Sequence, residues 1–178
     1  LPTLRERWRL DANAASYRVN DGKPIKYATA PGPSEIISTP VFSDGVVYTL
    51  IGQDPEHGTG VGRLTAVNPT LSGDVTTSGS LWTYDGIGRS ISTVAVSAGI
   101  VFAADYAGKV HAVDQQTGKM LWVHDTYAHI WGSPFVVDGR VYIGNEDGAL
   151  TVFAVSRTKN ELATIQFTAP IYSTPVAA

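Results

Sequence analysis

The sequence predicts an all-β protein, a β-propeller of four-stranded antiparallel blades, and three observations carry that prediction. The first is a repeated phrase. Ser38-Thr39-Pro40-Val41, Ser92-Thr93-Val94-Ala95, Gly132-Ser133-Pro134-Phe135 and Ser173-Thr174-Pro175-Val176 follow one another at offsets of 54, 40 and 41 residues. A fixed period near 40 with strand-like content marks propeller blades or a related array. The second is turn chemistry: eighteen Gly and ten Pro in 178 residues suit short strands joined by tight turns. The third is that no segment places apolar residues at i, i+3, i+4 and i+7, so amphipathic helices are not expected.

The clearest unit is 91–125. Ile91 to Val96 alternates and stops at Ala98-Gly99. Ile100 to Ala104 is an apolar run ended by Asp105-Tyr106-Ala107-Gly108. Lys109 to Val113 alternates again, Asp114 to Gly118 turns, and Lys119 to His124 carries Trp122. Four strands of about five residues are the content of one blade. The preceding unit, 37–84, repeats this with Asp44-Gly45, Val46-Val47-Tyr48, Leu64 to Val67 and Trp82. The following unit, 131–167, does so with Asp138-Gly139, Val141-Tyr142-Ile143 and Asp147-Gly148. Trp-x-x-Asp closes an outer strand three times, at Trp8, Trp82 and Trp122; the fourth copy lacks it, with Thr164 or Ile165 at the tryptophan position. These tryptophans are expected to pack between blades.

The expected organisation is therefore an outer strand at 4–10, an inter-blade insertion at 13–35, blades at 37–84, 91–125 and 131–167, and the inner strand of another blade at 171–178. Three full blades and two partial ones amount to about half of a ring of seven or eight. An open half-ring exposes apolar blade faces, which implies either a longer protein or two copies closing one ring as a homodimer.

Charge and composition exclude several classes. A formal charge of −3 and a pI near 5.7, with no basic stripe, argue against nucleic acid as a partner. Cysteine is absent, so disulfides, thiolate metal sites and Cys nucleophiles are excluded. No run reaches the 18 or so apolar residues of a membrane helix. His57, His111, His124 and His129 lack zinc-motif spacing, and His111 and His124 are read as strand residues, packed or on an outer surface. The Thr/Ser/Gly-rich stretch 68–79 reads as a flexible turn.

Two segments point to a family. Val113-Asp114-Gln115-Gln116-Thr117-Gly118-Lys119-Met120-Leu121-Trp122 resembles the signature of the PQQ-type (quinoprotein-like) propeller repeat, with Asp114, Gly118 and Trp122 at its fixed positions. Ser133 to Gly144 is similar to the segment that follows it in that repeat. The match covers 37–178 and extends to the first ten residues. The resemblance implies one of two trades. One is a dehydrogenase holding pyrroloquinoline quinone (PQQ) and Ca²⁺ and oxidising alcohols or sugars. The other is a non-catalytic BamB-like propeller that scaffolds other proteins. Gly52 to Gly58 also resembles uncharacterised bacterial PQQ-repeat proteins, and the resemblance implies a periplasmic or extracytoplasmic setting.

Candidate site residues lie where loops depart from the repeat. In a propeller, the second-to-third strand loops and the inter-blade connections share one face. Trp8 to Pro40 spans 32 residues where Trp82 to Val94 and Trp122 to Pro134 span 12 each. The loop from Gly52 to Gly62 is also long and carries Asp54, Glu56 and His57. Neighbouring loops offer Arg89, Asp105, Tyr106, His129, Trp131, Asn145, Glu146 and Asp147. Converging over a channel, such groups suit a hard cation, an acid/base pair or a metal-organised sugar- or peptide-binding pocket. The competing reading of each is ordinary turn chemistry. The sequence lacks the family's vicinal Cys pair, and Asn145-Glu146-Asp147 is consecutive rather than spread. The expectation is a scaffold without cofactor that binds a protein or small ligand through this face; the PQQ/Ca²⁺ dehydrogenase is the alternative.

Overall fold

The computed structural model describes residues 4–27 and 29–177. Ala28 of the insertion and Ala178, the last residue of the expected inner strand, lie outside them. The chain forms three four-stranded antiparallel sheets. The first blade contains β4 (Val41–Ser43), β5 (Val46–Leu50), β6 (Leu64–Val67) and β8 (Ser80–Tyr84). The second contains β9 (Ala95–Ser97), β10 (Ile100–Ala104), β11 (Lys109–Asp114) and β12 (Met120–Asp125). The third contains β13 (Phe135–Val137), β14 (Arg140–Gly144), β15 (Ala149–Ala154) and β16 (Glu161–Gln166). Each blade opens with a two-residue hairpin whose residues both have positive φ: Asp44-Gly45 at +49° and +79°, Ala98-Gly99 at +49° and +75°, Asp138-Gly139 at +48° and +70°. Such turns match the right-handed strand twist, and glycine at the second position accepts that backbone freely.

Blades stack face to face. Ile100, Phe102, Val110 and Trp122 of the second blade meet Val141, Ile143 and Phe153 of the third in one buried cluster. Tyr48, Leu50, Leu64 and Ala66 of the first meet Val101, Ala103 and Val113 of the second in another. Strands buried on both faces read as apolar runs rather than alternations, which is why Ile100 to Ala104 is apolar throughout and fully buried.

The repeated phrases have a mechanical role. The Thr39 amide donates to Thr93 Oγ1 (3.1 Å), the Thr93 amide to Ser133 Oγ (2.9 Å), and the Ser133 amide to Thr174 Oγ1 (2.9 Å). One hydroxyl per repeat thus stitches each blade to the next along the innermost strands. At the outer rim the Trp82 indole donates to the Gln115 carbonyl and the Trp122 indole to the Ser156 carbonyl, each at 2.9 Å. Asp114 holds the turn that receives Trp82: its Oδ1 accepts from the Thr117 amide and hydroxyl, both at 2.7 Å. Gly118, at φ +70°, lies flat beneath the indole.

The structure departs from the sequence reading at three places. The missing tryptophan position is Ala163, not Thr164 or Ile165. Ala66 faces Trp82, Ala112 faces Trp122 and Val152 faces Ala163, each just before a register shift. The bulge consumes a residue, so counting along the chain overshoots by one or two. The stretch 68–79 is not a loose turn. It contains β7 (Gly73–Asp74), which pairs in parallel with β1 (Trp8–Arg9), and Val75 is buried beside it. Residues 171–177 take no regular strand conformation, since no second strand lies beside them among the described residues. The insertion carries a 3₁₀ turn, Ala15–Tyr17, and a hairpin of β2 (Val19–Asn20) and β3 (Lys23–Pro24).

Candidate functional site

The loop-rich face is built from the 51–63 and 105–108 turns, the 145–148 turn, the connections 85–94 and 126–134, and the insertion. The candidate residues on it divide into three groups rather than converging on one point.

Asp105 anchors the first group. It is buried, and its Oδ1 accepts the Lys109 amide (3.0 Å) while Oδ2 accepts the Gly88 amide and His111 Nε2, both at 3.1 Å. Burial pushes its pKa up, but the hydrogen bonds from His111, Lys109 and Gly88 outweigh that and hold it below the ordinary carboxylate value. His111, also buried, reaches the Tyr84 hydroxyl through Nδ1 at 3.1 Å. The same hydroxyl donates to the Gly86 carbonyl at 3.2 Å, so Tyr84 is held from both sides. Burial, and then the Asp105 charge, raise the Tyr84 phenol above its usual value. This Asp–His–Tyr line ties the first blade to the second. Asn145 fills the same turn position in the third blade, where its Oδ1 accepts the Ala149 amide at 2.9 Å. Asp105 and Asn145 thus both bond within their own turns, and His111 is the partner that sequence reasoning missed.

An aromatic cluster forms the second group. Tyr106 stacks on His129, with ring centroids 4.3 Å apart and planes 9° from parallel. Trp131 meets Tyr106 edge-on at 5.4 Å and Tyr172 likewise at 5.4 Å. The Trp131 indole donates to Glu146 Oε2 at 2.9 Å, and His129 Nδ1 lies 2.8 Å from the Tyr106 carbonyl. Burial first, and the Glu146 charge second, raise the Tyr106 phenol.

The third group surrounds Arg89, which is 1% exposed. Its Nη1 donates to the His57 carbonyl at 3.0 Å and its Nη2 to the Thr29 carbonyl. Asp54, Glu56 and the His57 ring sit on the exposed 3₁₀ turn Pro55–His57 and its N-cap. Asp147 is exposed as well, and its carbonyl accepts from Gln166 Nε2 at 2.6 Å.

Among the described residues, no three His, Cys, Asp or Glu side chains lie within reach of one ion. Asn145 and Glu146, the residue types a calcium centre would use, are bonded to the Thr126 carbonyl, the Ala149 amide and the Trp131 indole. A calcium–quinone centre does not fit the groups present.

The family profile described as outer membrane protein assembly factor BamB (PQQ_2) matches residues 5–162. The chain belongs to this family of PQQ-type propeller repeats. It is 30% identical over 125 residues to 1-butanol dehydrogenase (cytochrome c) of Thauera butanivorans, and 32% identical over 125 residues to quinohemoprotein alcohol dehydrogenase ADH IIB of Pseudomonas putida. Each match covers 61% of this chain and 16% of the relative. Among solved structures, BamB from Moraxella catarrhalis superposes with a TM-score of 0.57 at 18% identity, covering 75% of this chain and 37% of that one. Quinohemoprotein alcohol dehydrogenase from Comamonas testosteroni gives 0.55 at 24% identity, covering 74% of this chain and 21% of that one. The computationally designed Ika4 protein gives 0.65 at 16%, covering 99% and 89%. These likenesses show the propeller fold. Among the described residues, no helix is long and apolar enough to cross a membrane.

Proposed function

We propose that these blades belong to a non-catalytic scaffold that binds a protein partner through the loop-rich face, in an extracytoplasmic compartment. The observation that carries this reading is how that face uses its polar groups. Asp105, Asn145, Trp131 and Glu146 are bonded within the fold. Tyr27, Glu56, His57, Tyr127 and Tyr172 stand exposed around them. Exposed aromatics on a rigid frame act as anchors for a partner. The family's outer-membrane assembly description supports both the trade and the compartment. The reading requires no cofactor and no second copy.

A second reading, part of a quinoprotein dehydrogenase, is favoured by the 30–32% identity to two alcohol dehydrogenases. Dye-linked oxidation of an alcohol by the full-length protein, with PQQ and Ca²⁺ added, separates the two. The scaffold reading expects no rate above the protein-free control, and a quinone- and calcium-dependent rate overturns it.

A further inference from the structure

We propose that Arg89 is a covered carboxylate-binding site, masked by the 29–33 and 57–62 segments and opened when a carboxylate replaces the Thr29 carbonyl on its guanidinium. It lies on the face that the scaffold reading assigns to partner binding and rests on that reading only for its biological use.

Arg89 is the largest fully buried side chain among the described residues. None of the ion pairs among the described residues includes it. Among the described residues, two backbone carbonyls, of His57 and Thr29, are its partners, and its Nε–H has none. A buried guanidinium without an acid partner is costly to hold, and burial lowers its pKa accordingly.

The vacant donor lies on the edge that carboxylates prefer. Arg63 shows the complete arrangement: Nε donates to Asp85 Oδ1 at 2.5 Å and Nη2 to Asp85 Oδ2 at 2.8 Å. On Arg89 the same edge presents a free Nε and an Nη2 engaged by one strap carbonyl. Replacing that carbonyl with a carboxylate recreates the Arg63 fork, with both donors satisfied and the charge neutralised.

The cover packs directly on the guanidinium. Gly60 packs against the guanidinium so closely that a Cβ there would lie 2.4 Å from Nε, and Gly58 and Gly62 flank it. Three glycines in five residues leave the turn permissive. The two covering segments hold each other through the Val61 amide on the Ala30 carbonyl (3.1 Å), and the turn is tied to the blade by the Arg89 amide on the Gly60 carbonyl (3.0 Å). Both segments lie outside the 40-residue repeat.

The test is the arginine Nε–Hε spectrum of the ¹⁵N-labelled protein, titrated with sodium succinate against sodium chloride at equal ionic strength. A parallel arm uses an amidated Gly-Glu-Gly peptide. Arg63 is the internal reference for a carboxylate-bound Nε, and Arg89→Lys assigns the signal by its loss. If that variant fails to fold, Gly60→Ser assigns it instead by shifting it selectively. The expected result is a saturable downfield shift of the Arg89 signal toward that of Arg63, with no shift in chloride. A shift with succinate alone identifies a free small carboxylate as ligand; a shift with the peptide alone, or with both, identifies a peptide-borne one. An Arg89 signal unmoved in both arms overturns the proposal and leaves the partner-binding role of the exposed face to its own test.

Discussion

Replacing Gly118 and, separately, Gly99 with alanine isolates the contribution of the tryptophan seam. Both glycines have left-handed backbone, at φ +70° and +75°, so each substitution costs about 1–2 kcal/mol for the strained conformation. They differ in what the new methyl meets. At Gly99 nothing lies within 4 Å; at Gly118 the Cβ would stand 2.6 Å from Trp82 Cδ2, and the ring must move. Moving it overpacks the seam, at about 1–3 kcal/mol, and strains the indole hydrogen bond to the Gln115 carbonyl. The expected losses are about 1–2 kcal/mol for Gly99→Ala and about 2–5 kcal/mol for Gly118→Ala, the latter the sum of both terms. The variants differ by the overpacking term, about 1–3 kcal/mol, so at about 2–4 °C per kcal/mol for a chain of this size their melting temperatures should separate by roughly 2–12 °C. Urea unfolding followed by tryptophan fluorescence reads both the stability and the seam. Equal destabilisation by the two substitutions would refute the claim that Gly118 is fixed by Trp82.

Other predictions follow from the same contacts. Asp114 titrates at about 2 in the folded chain, held down first by the Thr117 hydroxyl and then by Arg157. Its folded pKa lies below the unfolded value, so its stabilisation is present above about pH 4 and lost as pH falls toward 2. Asp114→Asn should flatten the urea midpoint over that window. Tyr84→Phe removes the hydroxyl that meets buried His111 Nδ1 and the Gly86 carbonyl and should cost about 1–3 kcal/mol, while Tyr142→Phe, outside that line, should cost less. Thr93→Val takes away the acceptor of the Thr39 amide and should cost about 1 kcal/mol, with faster hydrogen exchange at Thr39 as its local signature.

The repeat was legible because each of its letters has a structural cause. The hydroxyl at Thr93, Ser133 and Thr174 receives the preceding blade, the Asp-Gly and Ala-Gly pairs turn the first hairpins, and Gly118 lies under Trp82. Ala163 was misplaced by counting because a bulge is invisible in a strand's composition. The site was less legible. Asp105 and Tyr106 could be assigned to one face from topology, but which side chains meet depends on register. His111 reads as an ordinary strand residue until the β10–β11 hairpin folds it back to Asp105. Arg89 could be placed on the loop-rich face by topology, yet its burial depends on two insertions that follow no repeat. Asp54, Glu56 and His57 were legible as an exposed loop, and that loop carries them on the surface.

The central claim is that partners engage the loop-rich face. Site-specific photo-crosslinking in the source cells tests it most directly, with the probe at Glu56 or Tyr127 on that face and at Gln116 on the opposite one. The account predicts a discrete protein adduct from Glu56 or Tyr127 and none from Gln116. Adducts from Gln116 alone, or from none of the three positions, would contradict it.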